Sequence, residues 1–386
     1  MTPSPSQKFE NLPYELLFDI VSHLDDCASL YNLLRASPAT SRLFNHDGLK
    51  LTRMVFSRDN MCDQIRESIH LMTLLDSSSS SPWPYPSLGA FVTGFINVTV
   101  RDRFPQVGFP SPIDVYFPRD LPDGTSVPTI RRILSVYAQI KHLTAACLEH
   151  YLERFNALRP ENIVDPEARY HSSSARMGKI PPWKQRFESF KFPVEDYGPP
   201  TWEEDQRVSR ALWRIQLFYD LQPAAGQSRL GWPADDVRRL QSMRERDLYV
   251  GGKMPYEPQE IDTAIDYLEY ARAADHVISE DGGSSRPRWL PFLRHPAKRD
   301  WPISQRPDPD TGFFKYIIDI PTFGLREYRT LTRLRFSPIR TAKFDSFQRL
   351  GIAFWCQQRI QAIGLCPVYK ERSTNASAWL FAWRSI

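Results

Sequence analysis

Between Leu12 and Phe44 the apolar residues recur with a helical period. At about 100° per residue, Leu16, Ile20, Leu24, Leu17, Val21, Tyr14 and Phe18 share one arc of roughly 200°. Only Glu15, Asp19, Ser22 and His23 face the other way. A helix that roofs a single core needs an apolar stripe of about 100° or a little more. This first helix therefore carries apolar surface for two contacts, and a face near Leu12, Pro13 and Leu16 is expected to stand exposed on the isolated chain. Asp25 and Asp26 offer caps for a second helix with Leu30, Leu33 and Leu34 at i, i+3 and i+4. Ser37 followed by Pro38 is an N-cap and first-turn pair for a third, short helix carrying Leu43 and Phe44. Three helices of this size enclose too little core to stand alone.

The pattern continues as helix from Leu49 to Leu75 and stops at the serine run Ser77 to Ser81 with Pro82, Pro84 and Pro86, the expected seam before a larger body. Leu88 to Val100 fits a strand or a short buried helix, and periodicity does not choose between them. Six prolines from Pro105 to Pro128 predict loop. The body then reads as mostly helical. Ile130 to Phe155 keep one apolar face until Pro160, and Thr201 caps a helix whose apolar positions, Val208 to Leu221, run round most of its circumference. Such breadth predicts a central helix. Further helices are expected from Pro233 through Leu240 and Leu248, from Ile261 to Ala271, and as one long last helix from Phe344 to Ile363. The aromatic tail from Trp379 is expected to fold back on the body. The resulting division is 9–48, a three-helix module; 49–76, a helical connector; 77–128, a Ser/Pro-rich linker and irregular segment; and 129–386, the helical body. The fold class is mainly α with long proline-rich loops.

Charge and chemistry change this picture mostly by exclusion. The net charge of +4 is a small difference between 49 basic and 45 acidic residues, which is no nucleic-acid footprint. Five cysteines without a CxxC pair signal neither a disulfide framework nor a zinc site. The polar stretch Met1 to Lys8 lacks a secretory pattern and no apolar run reaches bilayer length, so a cytoplasmic or nuclear protein without membrane contact is expected. No catalytic motif is found, and His142 and His150 would lie about 12 Å apart along a helix, too far to share a metal. No catalytic residue, metal or cofactor is expected. The acidic run Glu203-Glu204-Asp205 reads as first-turn residues answering a helix dipole. Arg288, Trp289, Arg294 and Trp301 set guanidinium beside indole, which suits an acidic or phosphorylated motif and equally an ordinary loop held by cation–π contacts. These four are the target-binding candidates of the body. Arg326, Arg329 and Arg333 share one helical face, the mark of a solvated surface.

Leu12-Pro13-Tyr14-Glu15-Leu16-Leu17, then Ile20 and Leu24, then Leu30 and Leu33, resemble an F-box, in a variant similar to those of filamentous-fungal proteins. The closing half departs from the common pattern, with Ala36-Ser37-Pro38 and Phe44 in place of an aromatic Cys-x-x-Trp-like end. The resemblance implies a module that docks on a Skp-type adaptor and through it joins cullin and RING subunits. It implies that Leu12 and Pro13 enter the adaptor's groove, that Leu16, Leu17, Ile20 and Leu24 divide between that contact and internal packing, and that Leu30, Leu33 and Leu34 continue the surface. Arg210 to Leu217 resembles, more weakly, a stretch in the bodies of fungal F-box proteins. The expected function is a non-catalytic substrate receptor of an SCF-type ubiquitin ligase, with an unknown protein target. Two alternatives stay open: an F-box protein acting with the adaptor outside a ligase, and an enzyme of unrecognised type.

Overall fold

The computed structural model describes residues 9–76, 82–97, 120–162, 190–191, 195–250, 257–274, 277–278, 290–294, 297, 301, 321–333, 339–365 and 383. Among the described residues there are twelve α-helices and two antiparallel pairs of two-residue strands, Glu161–Asn162 with Phe190–Lys191 and Val277–Ile278 with Phe292–Leu293. The chain is mainly α, with N-terminal helices followed by a larger helical body. The serine run at 77–81 and the proline-rich stretch 98–119 lie outside the described residues.

Helix α1 (Tyr14–Ser22) follows Pro13. Helix α2 (Cys27–Ala36) starts at Asp26, whose carboxylate accepts from the Ser29 amide at 2.9 Å. Helix α3 opens as the Ser37-Pro38 pair requires, with the Ser37 hydroxyl accepting from the Thr40 amide at 3.1 Å. It is not short: it runs Pro38–Arg58, 21 residues, with one non-helical residue at Asp47. Gly48 stands beside that kink, where a Cβ would come within 3.1 Å of the Phe44 ring. The true interruption falls at Asp59–Cys62, before helix α4 (Asp63–Leu74), so the apolar pattern from Leu49 to Leu75 belongs to two helices. The cause is the buried Asp59 carboxylate, which leaves the helix to accept from the Cys27 amide at 2.9 Å and the Tyr137 hydroxyl at 3.0 Å.

As far as Asn97 the ambiguous stretch after Pro86 is helical: α5 (Leu88–Phe91), capped by Ser87, runs into a single π turn, Val92–Ile96. Helix α6 (Val127–Asn156) is the long one, capped by Ser126 with Pro128 in its first turn. Helix α7 (Trp202–Gly226) is the central one. Twenty of its 25 residues are buried, and it packs against α4, α6, α8 (Ala234–Ser242) and α9 (Glu257–Ala273). Helix α8 ends before Met243, and a 3-10 turn, Glu245–Leu248, takes over what periodicity reads as its continuation.

Helix α10 (Phe323–Arg333) exposes Arg326 and Arg333, while Arg329 donates to Gln259 at 3.2 Å. The expected long last helix is instead two short ones, α11 (Asp345–Gln348) and α12 (Gln357–Ala362). Between them Gly351 turns the chain at φ +69°, where a Cβ would sit 2.8 Å from Tyr151 and 2.9 Å from Trp355. The tight approach of α6 and the Trp355 ring breaks the helix that apolar spacing suggests. Beyond it, Trp383 is buried, packs its ring 5.2 Å from that of Phe347 and donates to the Leu365 carbonyl at 2.8 Å.

One hydrophobic cluster extends from Leu17 in α1 to Trp383. The first helices join it through α2, which packs on α6. Ser135 of α6 donates to the Tyr31 hydroxyl at 3.1 Å, and Arg131 lies over the Phe44 ring at 5.2 Å while reaching Ser41 and Asn45. No helix among the described residues is long and apolar enough to cross a membrane.

Candidate functional site

The wide apolar arc of α1 is divided by its neighbours. Leu17 and Val21, near its middle, are buried, and α1 packs against α3. On one flank Phe18 is half-buried beneath Lys50, whose ammonium stands 4.8 Å from the ring centre. Tyr14 on the same flank is 47% exposed and donates its hydroxyl to the Asp47 carboxylate at the α3 kink. The opposite flank has no such cover. Leu16 is 53% exposed and Ile20, one turn on, is 45% exposed, with exposed Pro13 at the helix start. Transfer energetics penalise such exposure by about 25 cal/mol per Å² of apolar surface, and a partner that covered it would recover that term.

The residues singled out by the resemblance therefore divide three ways. Pro13, Leu16 and Ile20 are exposed; Leu12, Leu24 and Leu33 are half-buried; Leu17, Leu30 and Leu34 are in the core. Leu30 and Leu34 sit on the helix that packs against α6, so the exposed apolar face is a feature of α1 and not of α2. The cap at the start of α3 is reinforced by Glu10, which accepts from the Ala39 amide at 2.8 Å. The hydrogen bond from Ser37, helped by that amide, holds the Glu10 carboxyl below its ordinary value. Of the four candidates in the body, Arg294 is exposed and Trp301 is half-buried against the core, while Arg288 and Trp289 lie outside the described residues.

The charged positions of α7 take a role that chain order does not reveal. Thr201 and Glu204 form a capping box, as the first-turn acids suggest. Glu204 is also fully buried and grips Arg359 of α12 with both oxygens, at 2.9 Å each, while accepting from the Cys356 amide at 3.0 Å. Arg359 completes its donors on the Gly198 and Pro199 carbonyls. A second group links α7 to α9: Arg207 bridges Glu203 at 2.8 Å and Glu260 at 2.9 Å, and Arg210 donates to the other Glu260 oxygen and to Gln64 of α4. Burial raises the Glu203 carboxyl and Arg207 opposes that rise. These buried charges pair with one another across helices, which suits a role in positioning α4, α7, α9 and α12.

Burial likewise pushes the thiols of Cys27, Cys147 and Cys356 up, so none of the three is an activated nucleophile. Among the described residues no cluster of three His, Cys, Asp or Glu side chains could hold a metal ion.

A cavity of about 720 Å³ opens between the end of α4, α6, the C-terminal half of α7 and α8. Asp220 of α7 lines it, only 4% exposed, with Oδ1 accepting from Arg132 at 2.6 Å and from Gln216 at 3.2 Å. Its Oδ2 is shut off from solvent and has no hydrogen-bond partner among the described residues. Burial raises the Asp220 carboxyl, and the guanidinium of Arg132 acts against that rise. The apolar spacing of α7 marks Asp220 as an interior position, but nothing local marks the cavity, whose other walls come from distant segments.

No family model matches the chain, and neither a curated protein nor a solved structure matches it.

Proposed function

We propose that this chain is a non-catalytic substrate receptor of an SCF-type ubiquitin ligase. It docks on a Skp-type adaptor through α1 and brings a protein target on its helical body. The observation that carries this reading is the uncovered flank of α1. Pro13, Leu16 and Ile20 form an apolar strip about two helical turns long, next to residues already committed to the core. The Leu-Pro start and the leucine spacing resemble an F-box at the same positions. A strip of this size is only the centre of an interface, and half-buried Leu12 and Leu24, at the two ends of α1, would extend the contact.

Co-purification of the full chain with a Skp adaptor tests the proposal. The adaptor should be retained by the parent chain and lost at least tenfold when Leu16→Asp is combined with Ile20→Asp, with the circular dichroism spectrum unchanged. Undiminished retention by that folded variant sinks it. Adaptor capture without cullin would move the protein to a role with the adaptor outside a ligase.

A further inference from the structure

The cavity between α4, α6, α7 and α8 carries a guanidinium whose charge is unspent, and this does not depend on the α1 reading. The cavity volume lies in the range of small-ligand sites, and its cations are Arg132 and Arg229. Helix α7 ends in a turn where Ser228 takes a φ of +59° and the Arg229 amide donates to the Ala224 carbonyl at 3.0 Å. From there the exposed Arg229 side chain donates to the Leu75 carbonyl at the end of α4 and, through Nε, to Gln227 Oε1 at 2.9 Å. Both acceptors are neutral. Arg229 therefore makes no ion pair among the described residues, and its Nη2 makes no hydrogen bond. Its direction is held while its charge stays uncompensated.

Arg132 adds reachable donors. Its Nη2 donates to Asp220 Oδ1 at 2.6 Å, while its Nε and Nη1 have no partner among the described residues. The side chain is 33% exposed, so these N–H groups meet solvent, unlike the sealed Asp220 Oδ2. Both guanidinium groups act on the Asp220 carboxyl against the rise that burial causes, so they converge on one end of the cavity. At the rim stands the exposed carboxamide of Gln241, close enough to the end of α7 that a Cβ on Gly226 would come within 3.1 Å of its Nε2. The reachable groups thus favour a ligand that accepts hydrogen bonds. Asp76 and Asp220 limit its charge, because the lining holds two acidic side chains beside the two basic ones. A cation would lie against the guanidinium groups, and a dianion would meet both carboxylates. A single carboxylate brings one charge and two coplanar acceptors, the match for a planar guanidinium.

We propose that this cavity binds a monocarboxylate, whose carboxylate accepts from Arg229 and Arg132 and whose apolar remainder lies along Leu75 and Pro223. The carboxylate belongs either to a free small molecule or to an Asp or Glu side chain of a bound protein.

Calorimetry on the full chain in a phosphate-free buffer tests this with four probes: benzoate, benzamide, which keeps the shape without the charge, benzylammonium and inorganic phosphate. Benzoate should bind at least tenfold tighter than each of the others. In Arg229→Gln its lead over benzamide should fall to threefold or less, a ratio that does not move with a general loss of stability. If Arg229→Gln fails to fold, Gln241→Glu at the exposed rim, which exchanges a donor for a negative charge, should cut the same lead at least threefold. A peptide arm separates the two sources: tighter binding of acetyl-Ala-Glu-Ala-amide than of benzoate assigns the group to a protein, and the opposite order assigns it to a free molecule. The proposal is overturned if benzoate does not bind the parent chain, if its lead over any other of the four probes falls short of tenfold, or if the substitution used leaves its lead over benzamide unchanged.

Discussion

Helices α1 and α7 both carry more of one chemistry than a simple amphipathic helix uses, and they resolve the excess in opposite ways. In α1 the surplus is apolar, and the neighbouring helices cover Leu17 and Val21 but leave Leu16 and Ile20 in water. In α7 the surplus is charge, and Glu204, Arg207 and Arg210 are taken inside with a partner for each. The difference teaches where to look for function. A saturated buried ion pair positions its helices, because its charges are spent on each other, whereas an uncovered apolar strip is a surface whose free energy improves when something binds.

Substitutions should separate the two helices sharply. The largest effect is expected for Glu204→Ala, which strands the buried Arg359 guanidinium and the Cys356 amide; urea denaturation should show a loss of about 3–5 kcal/mol. Asp59→Ala should follow at about 2–3 kcal/mol, since it strips acceptors from the Cys27 amide and the Tyr137 hydroxyl and loosens α2 against α6. The α1 pair Leu16→Asp with Ile20→Asp should change stability by no more than about 0.5 kcal/mol while removing adaptor retention. A large stability loss there would show that the strip belongs to the core, and the contrast between the helices would collapse.

The smallest effect is a pH slope. Burial raises the Asp59, Glu203 and Asp220 carboxyls, so the folded chain holds these protons more tightly than the unfolded one. Their contribution to stability is then full below the ordinary carboxylate value, about 4, and is lost as pH rises through the higher folded values. Asp220→Asn removes one of the three. Its stability should therefore fall less than that of the parent chain between about pH 4 and pH 7, as followed by thermal melts in matched buffers.

Much of the helical order is legible because caps act within one turn. Asp26, Ser37 and Thr201 each bond an amide three residues ahead, so the starts of α2, α3 and α7 can be read from adjacent letters. The over-wide apolar arc of α1 is equally local, being a count around one helix. Endings were harder to read where a distant residue intervenes. The stop of α3 at Asp59 depends on Cys27 and Tyr137, and the break at Gly351 depends on Tyr151 and Trp355.

By itself, then, the sequence determined the mainly helical class, the capped starts of its helices and the existence of an apolar excess at the N-terminus. Tertiary structure alone decided which edge of that excess stays in water, because α3 covers one side of α1 and leaves Leu16 and Ile20 uncovered. It also decided that Glu204 meets Arg359, 155 residues later in the chain, and that Arg132, Asp220 and Arg229 share one cavity. Capping and helical periodicity are properties of neighbours in the chain. Exposure, ion pairing and cavity walls are properties of neighbours in space, and packing chooses those from segments whose order in the sequence carries no record of the meeting.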